Sequence, residues 1–183
     1  GTYSFIDWLW DYEELLDKLG YHGQPHCRRH LAFCQNFLNR FEGHYLELTE
    51  KLRRSLAMAH FRLGDTETGD RLMRGWLDRD PQWGWGWIGW AGGYSFGVKN
   101  GMENVDRAIE ILNLGRAVQD VRDRDSLLEW SIDLLEAANR MDEANVVEQE
   151  LEELLDEIGD DDDLFDDDPW VIDDHDDGVI HIG

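Results

Sequence analysis

Cations are scarce in this chain: 17 Lys and Arg stand against 41 Asp and Glu, which leaves a net charge of −24 over 183 residues. That balance excludes a direct nucleic-acid ligand, because phosphate binding needs clustered positive charge. It excludes an anionic membrane surface for the same reason. Lysine is scarcest of all, occurring as Lys18, Lys51 and Lys99 beside fourteen Arg. Two cysteines, Cys27 and Cys34, cannot build a disulfide framework, so nothing points to an oxidising compartment. No apolar run reaches the ~18 residues that a membrane-spanning helix needs. The N-terminus lacks a charged stretch followed by an apolar one; no export signal is expected and the chain is read as cytoplasmic. Catalytic signatures are missing too. There is no G-x-S-x-G elbow, phosphate-binding loop or H-E-x-x-H, and the carboxylates are so many that any one pair means little. Neither an enzyme nor a cofactor is expected.

What is present is enough apolar surface to order most of the chain: 42% hydrophobic residues, 11% aromatics and nine Trp. The surplus of acid favours a cationic partner, a metal-rich or saline environment, or imitation of a nucleic acid's own charge. Composition breaks near Gly159. Residues 1–159 carry −13; residues 160–183 hold eleven Asp and no basic residue. A run such as Asp160 to Asp163 repels itself and cannot fold alone. The chain therefore divides into a body, 1–159, and an acidic tail, 160–183. The tail's Pro169-Trp170-Val171-Ile172 and Val179-Ile180-His181-Ile182 flank an Asp177-Gly178 turn and would form a hairpin if something covered them.

Helical spacing dominates the body. Phe5, Trp8, Leu9, Tyr12, Leu15, Leu16 and Leu19 mark a first helix capped by Ser4. After the break at Gly20 to Pro25, Leu31, Cys34, Leu38 and Phe41 mark a second. A third runs from about Glu47 to Leu63 and stops at Gly64. Asp65 or Thr66 caps a fourth, which buries Leu72, Met73, Trp76 and Leu77 and ends before Pro81. A fifth starts in the Trp-rich segment. A sixth, capped by Asn104, carries Val105, Ala108, Ile109, Leu112 and Gly115. Leu127, Leu128, Ser131, Leu134, Leu135 and Ala138 mark a seventh behind Asp125, and Ala144, Val147, Leu151, Leu154, Leu155 and Ile158 an eighth. Helices in pairs of near-constant length are the mark of a helical solenoid.

Leu56-Ala57, His60, Leu63-Gly64-Asp65, Gly69, Met73, Trp76 and Asp80-Pro81 resemble the tetratricopeptide repeat (TPR). Trp87, Trp90, Ala91 and Tyr94, then Ala108, Leu112 and Gly115, restart its pattern in register after an insertion near Gly97 to Gly101. Ala144 matches the small crossing residue of a last unit whose turn no Gly marks, and Ile6 to Phe41 matches only loosely. The segment Trp83 to Trp90 is also similar to one in small uncharacterised bacterial proteins of this class, some of which carry a Cys-rich C-terminal motif with no counterpart here. The resemblance implies an all-α, TPR-like superhelix of about four hairpins. It further implies a concave groove lined by the first helix of each pair.

By that resemblance Lys51, Arg54, Met58, Phe61 and Arg62 on the third helix, and Trp85, Ile88 and Phe96 on the fifth, face the groove. Cations edged by aromatics suit an acidic or C-terminal carboxylate peptide, because Arg pairs with carboxylates in charge-assisted, often bidentate fashion. The plainer alternative is local pairing with Glu47 and Glu50. Trp83, Trp87, Trp90 and Tyr94 share one helix face, which core packing explains; the glycines among them let another backbone come close. His26, Cys27, His30 and Cys34 gather at the head of the second helix. Cys27, His30 and Cys34 share a face that suits zinc, but the same face is the apolar stripe, where free Cys is common, so no metal is assigned. Asp173, His175, Asp177 and Gly178 resemble a calcium loop cut short of its closing Glu.

Taken together, these features predict a non-enzymatic adaptor that binds a peptide or protein segment. The acidic tail would fold back on its own body or dock on a neighbouring copy. The alternatives are an acidic nucleic-acid mimic that occupies a DNA-binding protein or nuclease, and a zinc-dependent protein.

Overall fold

The structure is a computed structural model that describes residues 5–95 and 104–162. Eight helices and no strand occur among those residues. They are α1 (Phe5–Gly20), α2 (Gln24–Phe41), α3 (Leu46–Arg62), α4 (Thr66–Leu77), α5 (Gly84–Gly92), α6 (Val105–Arg116), α7 (Arg124–Ala137) and α8 (Met141–Asp162). The compositional break at Gly159 falls inside α8, and residues 163–183 with their two apolar runs lie outside the described residues.

The helix ends follow local chemistry. Pro25 sits in the first turn of α2, where its missing N–H costs nothing. The Asp65 carboxylate accepts from Thr68 N at the head of α4, and the Asn104 side chain accepts from Arg107 N at the head of α6. α3 closes on Gly64, at φ 84°, where Gly64 N donates to Phe61 O and Asp65 N to His60 O. α7 closes in the same way without a glycine. Asn139 takes φ 59°, its N–H donates to Glu136 O, and Arg140 N donates to Leu135 O. Asn tolerates the left-handed conformation better than other side chains do. The last hairpin therefore has the turn its sequence did not advertise.

The packing separates odd from even helices. α1 packs on α3, α3 on α5 and α5 on α7, whereas each even helix touches only its chain neighbours. One apolar cluster spans α3 to α8 and includes Trp83, Trp87, Trp90, Ile111, Leu127, Leu128 and Val147. A smaller one joins α1, α2 and α3 through Leu9, Cys34, Phe37, Leu38, Leu48, Leu52 and Leu56.

Candidate binding trough

The odd helices present a shared trough. Near the Tyr21 end it forms a cleft of about 290 Å³ lined by Glu13, Asp17, Arg54, Met58, Arg62, Trp85, Ile88 and Trp130 among others. Toward the Asp123 end a second cleft, of about 400 Å³, is lined by Trp10, Glu47, Glu50, Lys51, Arg54, Trp83, Trp85 and Asp123. Lys51, Arg54 and Trp85 border both clefts and form the ridge between them. The helical residues of both linings come from α1, α3, α5 and α7 alone.

The floor beside α1 is ionic. Glu13, buried to 1% exposure, accepts from His30 Nε2 at 2.9 Å and from Ser55 Oγ at 2.6 Å, and pairs with Lys51 Nζ at 2.9 Å. Burial pushes its carboxyl upward, yet the hydrogen bonds from His30, Ser55 and Lys51 outweigh that and hold it at about 2. Because the ionised carboxylate can only accept, His30 carries its proton on Nε2. Its buried Nδ1 has no hydrogen-bond partner and lies 3.8 Å from Asp17 Oδ1. Asp17 in turn accepts from Arg62 Nη1 at 2.7 Å, and the Arg62 guanidinium lies 3.9 Å from the centre of the Tyr21 ring. Lys51 also stands 4.1 Å over Trp10. Two of the three trough cations, Lys51 and Arg62, are thereby matched to α1 carboxylates. Neither partner is the Glu47 or Glu50 that local spacing offers.

Arg54 differs. Its guanidinium stacks on Trp85 at 4.9 Å, and among the described residues no carboxylate lies within ion-pair distance of it. Burial lowers its pKa, and the charges of Glu13 and Asp17 push the other way. Gly89 makes the arrangement fit: a Cβ there would lie 2.5 Å from Arg54 Cγ, so only glycine lets the arginine stem lie flat across α5. Arg54 is thus held in place with its polar edge unclaimed, between an indole face and the apolar Ile88 and Met58.

Six of the eight expected groove residues border this trough: Lys51, Arg54, Met58, Arg62, Trp85 and Ile88. Phe96 lies outside the described residues. Phe61 needs correction. It is fully buried, meets Tyr94 edge-on at 5.4 Å, and fills the slots left by Gly69 and Gly93 on the side of α3 turned from the trough. Sequence reasoning missed Glu13, Asp17, Ser55, Tyr21 and Trp130. One signal was available: Leu9, Glu13, Leu16 and Gly20 share the buried stripe of α1, and a lone carboxylate there must meet a partner.

Three buried side chains could hold a metal ion. The ligand atoms of Glu13, His30 and Cys34 lie within 4.8 Å of one another. Cys27 is not among them, since its thiol points to Ala59 O at 3.4 Å. The donor set fits poorly. Both Glu13 oxygens are engaged and Lys51 already balances their charge. Burial, with Glu13 and Asp17 nearby, pushes the Cys34 thiol far up, against the thiolate that zinc ligation or nucleophilic attack requires. Compared with protein-family models, curated proteins and solved structures, the chain matches none.

Proposed function

We propose that this chain is a non-enzymatic adaptor, a TPR-like helical superhelix that holds a segment of another protein in the trough between its odd helices. The observation that carries the reading is Arg54, pinned by Trp85 and Gly89 with no carboxylate of its own. A bound peptide would set a carboxylate, from an acidic side chain or its C-terminus, on that guanidinium. A neighbouring apolar side chain would rest on Trp85, Ile88 and Met58. Charge-assisted hydrogen bonds of this kind contribute ~1.5–3 kcal/mol, or roughly tenfold to a hundredfold in affinity. The disposition of the helices supports the reading, because a row of odd helices packed one on the next shares the side on which both clefts lie. The raised Cys34 thiol and the saturated Glu13 argue against catalysis at the one buried Cys-His-Glu cluster among the described residues.

The test is capture from lysate followed by mass spectrometry, comparing the natural chain with Arg54→Gln. Arg62 is a poor probe, because changing it strands Asp17. The adaptor reading expects Arg54→Gln to lose the captured protein while the helical signal stays intact. Capture that survives Arg54→Gln but collapses with added salt would favour an acidic decoy for a DNA-binding protein.

A further inference from the structure

The first hairpin carries an aromatic ladder that is open at Phe5, Trp8 and Phe41 and rooted through Phe37 in the α1–α3 core. Phe5, Trp8 and Tyr12 stack along α1 with centroids 6.0 and 5.2 Å apart. Tyr12 meets Phe33 edge-on at 5.1 Å, and Phe33, Phe37 and Phe41 continue along α2 at 6.4 and 4.9 Å. Much of this surface is open. Phe5 is 64% exposed, Trp8 47% and Phe41 39%. A cleft of about 470 Å³ runs between the rings of the two helices, with Arg40 on its border. Contiguous apolar surface of this kind is the usual mark of a docking site rather than of a solvated face.

The rims say what docks there. The charges of α2 are all basic: Arg28, Arg29 and Arg40 occur between Gln24 and Phe41 and no carboxylate does, in a chain of net charge −24. Arg29 and Arg40 share the stripe of Phe33 and Asn36, at i, i+4, i+7 and i+11. Both are exposed, and neither has an ion-pair partner among the described residues. The first half of α1 has the opposite charge. Asp7 and Asp11 are exposed along the stripe next to Phe5, Trp8 and Tyr12, while Glu14 further on pairs with Lys18. The ladder therefore has an acidic border on α1 and a basic border on α2. A two-fold axis in the interface, parallel to the helices, brings the acidic border of each copy onto the basic border of the other. The same face supplies both halves of the match, as isologous pairing requires. A second copy answers both borders and the ladder at once, whereas a merely basic or merely acidic partner would be repelled along one side.

We propose that the chain forms a two-fold dimer through the α1–α2 face, with ring packing at its centre and Asp7 and Asp11 of each copy opposite Arg29 and Arg40 of the other. This interface is separate from the trough and stands whether or not the adaptor reading holds.

Charge reversal tests it with the full chain in sedimentation velocity. The natural chain sediments as a dimer. Arg29→Glu with Arg40→Glu sediments as a monomer, and so does Asp7→Arg with Asp11→Arg, since each doubles like charge along both borders. An equimolar mixture of the two variants recovers a dimer containing one of each, because every border is then matched again. All four positions are exposed, so circular dichroism of each variant stays that of the natural chain; Trp8→Ser, which removes a central ring instead of a charge, independently weakens the dimer at least tenfold. A chain lacking residues 163–183 remains dimeric. Three results would overturn the proposal: a monomeric natural chain, two variants that stay monomeric when mixed, or a dimer that vanishes when the acidic segment is removed.

Discussion

Between α1 and α3 the interior holds a carboxylate, an imidazole and a hydroxyl in one hydrogen-bonded set. From α3 to α8 the buried cluster is built of apolar side chains, and the Tyr94–Asp70 hydrogen bond lies at its partly buried edge. The two halves settle their packing by different means. In the first, Glu13 must find His30, Ser55 and Lys51 together or leave buried charge unmatched. In the second, indoles fit against glycines, and shape does most to select the arrangement. A half held by charge should respond to pH and to loss of one partner. A half held by shape should respond to a single added methyl group.

The largest expected effect is on the charged side. Glu13→Ala strands Lys51 and His30, and should cost ~3–5 kcal/mol, read as a lower urea midpoint. Next comes the methyl test on α5. A Cβ at Gly84 would run into the carbonyl oxygen of Arg122, which is backbone and cannot step aside. Gly84→Ala should cost ~1–3 kcal/mol in thermal or urea unfolding. Gly89→Ala meets side-chain rather than backbone atoms, the Cγ and Cδ of Arg54, and helix propensity of up to ~1 kcal/mol offsets part of the crowding. It should cost less stability than Gly84→Ala while lifting Arg54 off Trp85 and weakening whatever the trough holds. Equal losses of stability at Gly84 and Gly89 would contradict this division.

Acid separates the halves more gently. Glu13 falls from an ordinary value of 4.5 when unfolded to about 2 when folded, so its contribution is complete above pH 4.5 and is lost as pH drops toward 2. Glu13→Gln should flatten that stretch of the stability-pH curve. Base acts on the other half. Burial and the Asp70 carboxylate, which accepts from Tyr94 Oη and Trp90 Nε1 at 2.6 Å each, raise the Tyr94 phenol to about 12. Its contribution is therefore whole below pH 10 and disappears as pH climbs from 10 to 12. Ultraviolet titration should find one late tyrosine that Asp70→Asn brings back toward the others. The smallest effect belongs to the Arg122 side chain, 44% exposed, which bridges Glu50 at 2.9 Å and Asp80 at 2.7 Å. Arg122→Ala should cost at most ~1 kcal/mol.

How much of this could be read in advance followed the range of the interactions. Caps at Asp65 and Asn104 and the turn at Gly64 depend on a few neighbouring residues, and spacing alone places them. The number of helices and their rough spans also follow from where apolar residues recur. The turn at Asn139 was hidden because Asn takes the left-handed conformation only when the surrounding structure requires it. Phe61 was misplaced because its direction depends on Gly69 and Gly93, eight and thirty-two residues away by number. The Glu13 set was invisible for the same reason. Ser55 stands forty-two positions from its acceptor, and a glutamate in sequence reads as a solvated one. The solitude of Arg54 required knowing which acids were already spoken for.

One link crosses this division. The segment between α6 and α7 does not touch its neighbours alone. Arg122 N donates to Gln82 O at 2.8 Å, its carbonyl lies against Gly84, and its guanidinium reaches back to Glu50 on α3. In an array whose units meet only the next unit, the last hairpin can fray by itself. Here the entrance to that hairpin is tied by main chain to the linker that leads into the third, and by one side chain to α3. Opening the far end must break that tie as well as the helix packing, so the fourth hairpin should melt together with the third. The mouth of the trough beside Asp123 then has a width fixed before any guest arrives.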